Sequence, residues 1–287
     1  MIVQNSVTAQ GRLVIVATPL GNLGDISRRA LELLEHADVV YCEDTRRSST
    51  LFSAHAIEVR GRLRALHEHN EASRCHQIVE RVANGEVVVL ISDAGTPGIS
   101  DPGARVVAAV IEAGLEVTTA PGPSAVVAAL SISGLASDRF CMEGFLSRKA
   151  GERQESYAQW RNELRTIIFY ESPQRISVTL SELVEHVGGR RVVVAREITK
   201  IHEEVVRGTV REVAREFEGR ASVLGELVVV LEGGQRTPAA HDDQVRSALV
   251  EQFALGASTR DAVTSVAESL GVAHRTAYRL ALEVRAE

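Results

Sequence analysis

Two runs of consecutive polar residues carry the groups most suited to acid–base chemistry. Glu43-Asp44-Thr45-Arg46-Arg47 sets carboxylates beside guanidinium groups, and His67-Glu68-His69-Asn70-Glu71 joins imidazoles to carboxylates and an amide. A carboxylate or imidazole held against a substrate can accept a proton near neutral pH. Metal-ligand spacing is missing. Zinc proteases need two histidines one helical turn apart, whereas His67 and His69 are separated by one residue and have no evident third ligand, so no metal is expected. Ser92 and Ser124 have no evident His/Asp support and no G-x-S-x-G is present, which disfavours covalent hydrolysis.

Three glycine-bearing loops, Thr18–Asp25, Ser92–Gly98 and Pro121–Ala125, each follow a short apolar run. Glycine lets a backbone approach a ligand closely. One such loop reads as an ordinary strand–helix turn, but three at the same edge of a sheet suggest a nucleoside-like ligand. Neither G-x-G-x-x-G nor G-x-x-x-x-G-K-[ST] occurs, so dinucleotide and P-loop readings lose support. Two more charged runs follow strand-like segments: Glu171-Ser172-Pro173-Gln174-Arg175, and Arg196 to Lys200. Arg196 and Lys200 are placed to meet phosphate.

The elements that must hold these loops are legible as alternation. Strands are expected at Leu13–Thr18, Val39–Cys42, Ala65–His67, Glu86–Ser92 and Glu116–Ala120, with helices around Ala30–Ala37, Ser73–Asn84 and Pro102–Gly114. Such βαβα order argues for a mostly parallel sheet covered on both faces. Pro121-Gly122-Pro123 is a stiff break and the expected domain boundary. Beyond it a helix at Ser124–Ser133 and strands at Phe140–Phe145, Thr166–Tyr170, Val192–Ala195 and Glu226–Leu231 alternate less regularly, which suits a mixed sheet. Arg148 and Lys149 sit in an exposed basic loop. Residues 1–10 read as a flexible N-terminus, 11–121 as an α/β domain, 122–234 as a second α/β domain, and 243–287 as a helical tail. Within the tail, residues 266–278 fit a helix-turn-helix, with Gly271 at the turn and Arg275 opening the second helix toward nucleic acid.

Composition narrows the class. Hydrophobic residues at 45% and charged residues at 24% are ordinary for a folded domain protein, while 4% aromatics disfavour an aromatic-rich single-strand platform. A formal net charge of −6 argues against non-specific nucleic-acid binding, so an RNA substrate would need a local basic face. Three cysteines without a C-x-x-C suit reduced thiols in a cytoplasmic protein, and neither a signal peptide nor a membrane-length apolar run is evident.

Taken in order, ATPLGNLGDIS (Ala17–Ser27), EDTRR (Glu43–Arg47), HEHNE (His67–Glu71), SDAGTPGISDPG (Ser92–Gly103), PGPSA (Pro121–Ala125), GLASDRFCMEGFLSRK (Gly134–Lys149), FYESPQR (Phe169–Arg175) and AREITK (Ala195–Lys200) are similar to the ribosomal RNA small-subunit methyltransferase I family of the tetrapyrrole methylase superfamily. The resemblance runs from about Gly11 to Gly234 and departs at Gln174, where the family's block usually carries His. It implies a two-domain class III methyltransferase fold of α/β type, with S-adenosylmethionine as cofactor and commonly a homodimer. It implies 2′-O-methylation of a cytidine, position 1402, in the decoding region of 16S rRNA, within the 30S subunit and away from any membrane. Carried over by position, Pro19, Leu20, Asp93, Gly95, Thr96, Ser124, Ala125, Tyr170 and Arg196 would hold the cofactor. A ribose hydroxyl needs a base, for which Glu43, Asp44, His67, Glu68, His69 and Glu171 are candidates. Arg46, Arg148, Lys149, Lys200 and Arg275 are candidates for RNA contact. A methylase of corrin- or porphyrin-like small molecules is the alternative in the same fold.

Overall fold

The computed structural model describes residues 11–59, 61–235 and 241–286, so the expectation for 1–10 lies outside the described residues. The chain divides into two compact units, residues 1–234 and 235–287.

The first unit contains two five-stranded sheets. In the first sheet β1 (Arg12–Val16), β2 (Val39–Cys42), β3 (Leu63–Ala65), β4 (Val87–Leu90) and β5 (Glu116–Ala120) lie in the order β3-β2-β4-β1-β5. Every pairing in it is parallel. Four helices make the crossovers: α1 (Arg28–His36), α2 (Thr45–Ala54), α3 (Glu71–Ala83) and α4 (Ala104–Glu112). Side chains alternate between the faces of a strand. Val14, Val16 and Val89 therefore pack with Leu34 of α1 and Phe52 of α2, while Leu13, Val88 and Leu90 pack with Ile78 of α3 and Val106 and Val110 of α4. Fully burying such a side chain contributes about 1.5–3 kcal/mol. The strand order also creates a switch point. β1 connects toward β2 and β4 connects toward β5, so neighbouring strands send their chains in opposite directions and leave a crevice at their carboxyl ends.

The second sheet follows α5 (Ala125–Ser133) and comprises β6 (Phe140–Phe145), β7 (Thr166–Glu171), β8 (Arg191–Arg196), β9 (Glu204–Thr209) and β10 (Leu227–Leu231), in the order β6-β7-β10-β8-β9. It is mixed: β6 and β7 are parallel, and the other pairings are antiparallel. α6 (Ala150–Trp160), α7 (Ile176–Val187) and α8 (Val210–Glu218) cover one face through Trp160, Leu180, Leu183 and Phe217. α5 covers the other through Val126, Ala129 and Leu130. Antiparallel pairing puts the end of β7 beside the start of β10, with Tyr170 opposite Val228 and Glu171 opposite Leu227.

The second unit is a bundle of α9 (Asp242–Ala254), α10 (Thr259–Leu270) and α11 (His274–Ala286) around Val245, Leu249, Val263, Val266 and Leu280. Gly271 takes the left-handed conformation, φ +62°, that closes α10 and turns the chain into α11. The turn between the two helices is where the sequence puts it.

Candidate active site

The loops that leave the first sheet are tied together by backbone. Thr18 N donates to Gly95 O at 2.8 Å and Gly95 N returns the bond to Thr18 O at 3.0 Å. Thr18 Oγ1 donates to Ser92 O at 3.1 Å, and Thr96 Oγ1 donates to Pro123 O at 3.0 Å. Gly95 has φ +81°, a conformation that disfavours side chains, and a Cβ there would lie 3.4 Å from Leu20. These bonds fix the loops after β1, β4 and β5 as one wall.

Facing that wall are the ends of β6 and β7 and the start of β10. Between them lies a cavity of about 350 Å³, within the usual range for a small-molecule site. Leu20, Asp93, Gly95, Thr96, Ser124 and Ala125 line it from the first side, and Tyr170 from the second. Seven of the nine residues expected to hold a cofactor are thus brought together. Pro19 is buried next to Leu20 without lining the cavity. Arg196 is not at the wall: its Nε donates to Glu204 at 2.8 Å and its Nη1 to Leu224 O at 3.3 Å.

Carboxylates dominate the polar part of the wall. Asp93 Oδ1 accepts from Asp44 N at 3.0 Å, and Oδ2 lies 3.4 Å from Arg47. Asp101 lines the cavity on the same side, and Glu226, just before β10, lines it from the facing side. Burial, then the neighbouring Glu43, pushes the Asp101 carboxyl up to about 6. Burial and Asp93 also raise Glu43, and burial and Asp101 raise the Tyr170 phenol. A carboxyl shifted this far toward neutrality inside a cleft is suited to accept a proton.

The proposed bases take other positions. Asp44 caps α2, accepting from Arg46 N at 2.7 Å. Glu171 lines the cavity but is fully engaged: it accepts from Ser172 N at 2.7 Å and from Thr179 Oγ1 at 2.7 Å, and pairs with Arg175 at 2.6 Å. His67 N donates to Asn70 Oδ1 at 2.9 Å in the turn that starts α3, and its ring lies outside the cavity lining. The His67 and His69 ring centroids are 6.0 Å apart. Glu68 is likewise outside the lining. Of the residues expected to meet RNA, Arg46, Arg148 and Arg275 are exposed, Lys149 pairs with Glu152 at 2.7 Å, and Lys200 bridges Glu197 and Glu226 at 2.8 and 2.9 Å.

Residue reading missed Asp101, Phe145, Ile198 and Glu226 as wall residues. Asp101 had a signal, since it is the second acid of Ser92–Gly103 and stands before Pro-Gly. The others come from distant strands and show no pattern of their own.

Residues 12–214 match the model of the tetrapyrrole (corrin/porphyrin) methylases. A protein named ribosomal RNA small subunit methyltransferase I from Mycobacterium tuberculosis (strain CDC 1551 / Oshkosh) is 44% identical over 281 residues, which is 97% of each chain. One of the same name from Synechocystis sp. is 40% identical over 96% of this chain and 99% of its own. The solved uroporphyrin-III-C-methyltransferase of Thermus thermophilus, at 20% identity, shares the fold with a TM-score of 0.55 over 77% of this chain and 94% of its own. A cavity at the switch point of a parallel sheet, closed by a mixed sheet, thus accompanies near full-length likeness, and the chain belongs to the tetrapyrrole methylase family, within the group of the ribosomal RNA small subunit methyltransferases I.

Proposed function

We propose that the chain transfers a methyl group from S-adenosylmethionine to the 2′-hydroxyl of a cytidine in the decoding region of 16S rRNA, acting in the cytoplasm as a homodimer on the 30S subunit. The observation that carries this reading is the cavity: a glycine-lined backbone wall, an apolar floor and an acidic rim around Asp101. The relatives' shared name supports RNA as the acceptor.

The residues present fit the cofactor. Leu20, Ile198, Leu227 and Val228 offer apolar surface for an adenosine and a thioether chain. Asp93, Asp101 and Glu226 surround the same space with negative charge, which suits a ligand carrying a sulfonium and an ammonium group. Ser124 and Ala125 bring polar backbone at the start of α5, where a carboxylate is favoured. When bound, the cofactor supplies an electrophilic methyl group, so the protein's work is chiefly proximity and orientation. Asp101 takes the proton of the attacking ribose hydroxyl, which is a poor nucleophile until it is lost. Arg46 and Arg148, both exposed, are positioned to meet RNA phosphates.

The test is incubation of 30S subunits lacking the modification with methyl-labelled S-adenosylmethionine. Label in 16S rRNA is expected. Transfer to a corrin or porphyrin acceptor, with none to 30S subunits, would replace this reading with the small-molecule one.

A further inference from the structure

β6 does not run straight to its end. Phe140, Cys141 and Met142 pair in register with Thr166, Ile167 and Ile168 of β7, but the next pair is Phe145 with Tyr170, so β6 holds one extra residue. Gly144, at φ +70°, takes the turn that this extra residue requires. Bulges of this kind re-aim a side chain, often beside an active site. Here the bulge brings the Phe145 ring against that of Tyr170, with centroids 5.1 Å apart and planes tilted by 41°. Phe145 lines the cavity, yet it is 61% exposed. A phenylalanine that open is not there to fill a core.

The segment after it is held firmly. Arg175 Nη1 donates to Leu146 O and Ser147 O, both at 3.2 Å, and Arg153 Nη1 donates to Ser147 O at 3.3 Å and Arg148 O at 3.0 Å. Arg175 is itself fixed by Glu171, and Arg153 by Glu182. Two buttressed guanidinium groups therefore clamp the carbonyls of residues 146–148 and set the ring at the rim in advance of any ligand.

We propose that Phe145 is a stacking platform for the base of the nucleotide whose ribose is methylated. A ribose reaches a cavity of this kind only if its nucleotide leaves the RNA stack, and an unstacked base is commonly received by an aromatic face. This inference rests on RNA being the acceptor, as proposed above. The Tyr170 ring packs against Phe145, and Arg148, three residues on, is exposed.

The test compares Phe145→Ala, Phe145→Leu and Phe145→Tyr with the wild type. It measures kcat/KM on 30S subunits lacking the modification, S-adenosylmethionine affinity by calorimetry, and binding of a short oligocytidylate by fluorescence anisotropy. Base–aromatic stacking implies a loss of about 10- to 100-fold in kcat/KM for Ala and Leu, with Tyr close to wild type. Cofactor affinity should hold within about twofold, on the scale where 1.4 kcal/mol is tenfold, which also reports that the variants are folded. Full activity in Leu would reduce Phe145 to apolar cover and overturn the proposal. A parallel loss of cofactor affinity would assign the ring to the cofactor and overturn it too. Should the wild type itself transfer nothing to 30S subunits, the proposed function fails and oligocytidylate binding decides this inference separately. Weaker binding by Ala and Leu but not Tyr sustains it, and equal binding by all four proteins ends it.

Discussion

Among the described residues Asp101 is paired with no cation: burial and the charges of Glu43, Asp93 and Glu226 disfavour its ionisation, opposed by a hydrogen bond with Ser92. Asp101→Asn should lower kcat by about 10²–10⁴-fold, the usual contribution of a positioned base, a far larger effect than on S-adenosylmethionine binding, for which Asp93 and Glu226 still supply negative charge. The wild-type rate should climb as pH rises through about 6, where the carboxyl ionises, and this limb should vanish in the variant. Stability carries the opposite sign. The folded-state pKa lies above the ordinary aspartate value of 3.8, so the ionised carboxylate costs the folded state stability above about pH 6, and that cost is relieved as pH falls from there toward 3.8. Asp101→Asn should therefore unfold at higher denaturant than wild type at pH 7.5, with the gap closing toward pH 4. The residues of the site were partly legible in advance. Glycine loops point to a cradle because backbone conformation leaves a mark on sequence. Proton-transfer competence leaves none, because it depends on which carboxylates burial brings together. Asp44 and Glu171 look like Asp101 in sequence, yet one caps a helix and the other is saturated by Ser172, Thr179 and Arg175.

At the scale of elements, α4 shows how a motif that looks chemical can be structural. Its N-cap, Gly103, has no side chain to cap with. Glu71 at the start of α3 supplies the acceptor instead, receiving Gly103 N at 2.9 Å and Arg105 N at 3.2 Å. The last residue of His67–Glu71 thereby anchors the helix that follows Asp101. Glu71→Ala should destabilise the protein by about 1–3 kcal/mol in chemical denaturation, since it strands two donors, one buried and one partly buried, and Glu71→Gln, which keeps an oxygen, should recover part of that. Val39–Cys42, Glu116–Ala120 and Phe140–Phe145 form the strands that the sequence predicts, residue for residue. The sequence shows α2 only as a polar cluster, because Thr45–Ala54 buries just Ser48 and Phe52 and offers little apolar period. β9 leaves no clear mark for a related reason: Glu204–Thr209 is an edge strand, and within it only Val206 is buried.

At the scale of the whole molecule, all residues around the cavity lie between positions 20 and 228. Residues 235–287 form a separate unit with its own core. A chain ending after Gly234 should therefore bind S-adenosylmethionine within about twofold of the full chain, on the scale where 1.4 kcal/mol is tenfold. Calorimetry would check this, and loss of binding would contradict the independence of the first unit. The parallel sheet with its switch point was foreseeable from strand–helix order, because a βαβα chain has few ways to bury both faces. The closure of the cavity by the second sheet was not, because the contact that ties the two sides, Asn22 N donating to Thr199 Oγ1 at 3.2 Å, joins segments 177 residues apart. The central claim is that this cleft methylates a ribose of 16S rRNA. The most direct test digests 16S rRNA, labelled on 30S subunits by the purified protein, to nucleosides for mass analysis, and maps the labelled position. A single 2′-O-methylcytidine in the decoding region is expected. Label on a base ring, or ribose label spread over many sites, would contradict it.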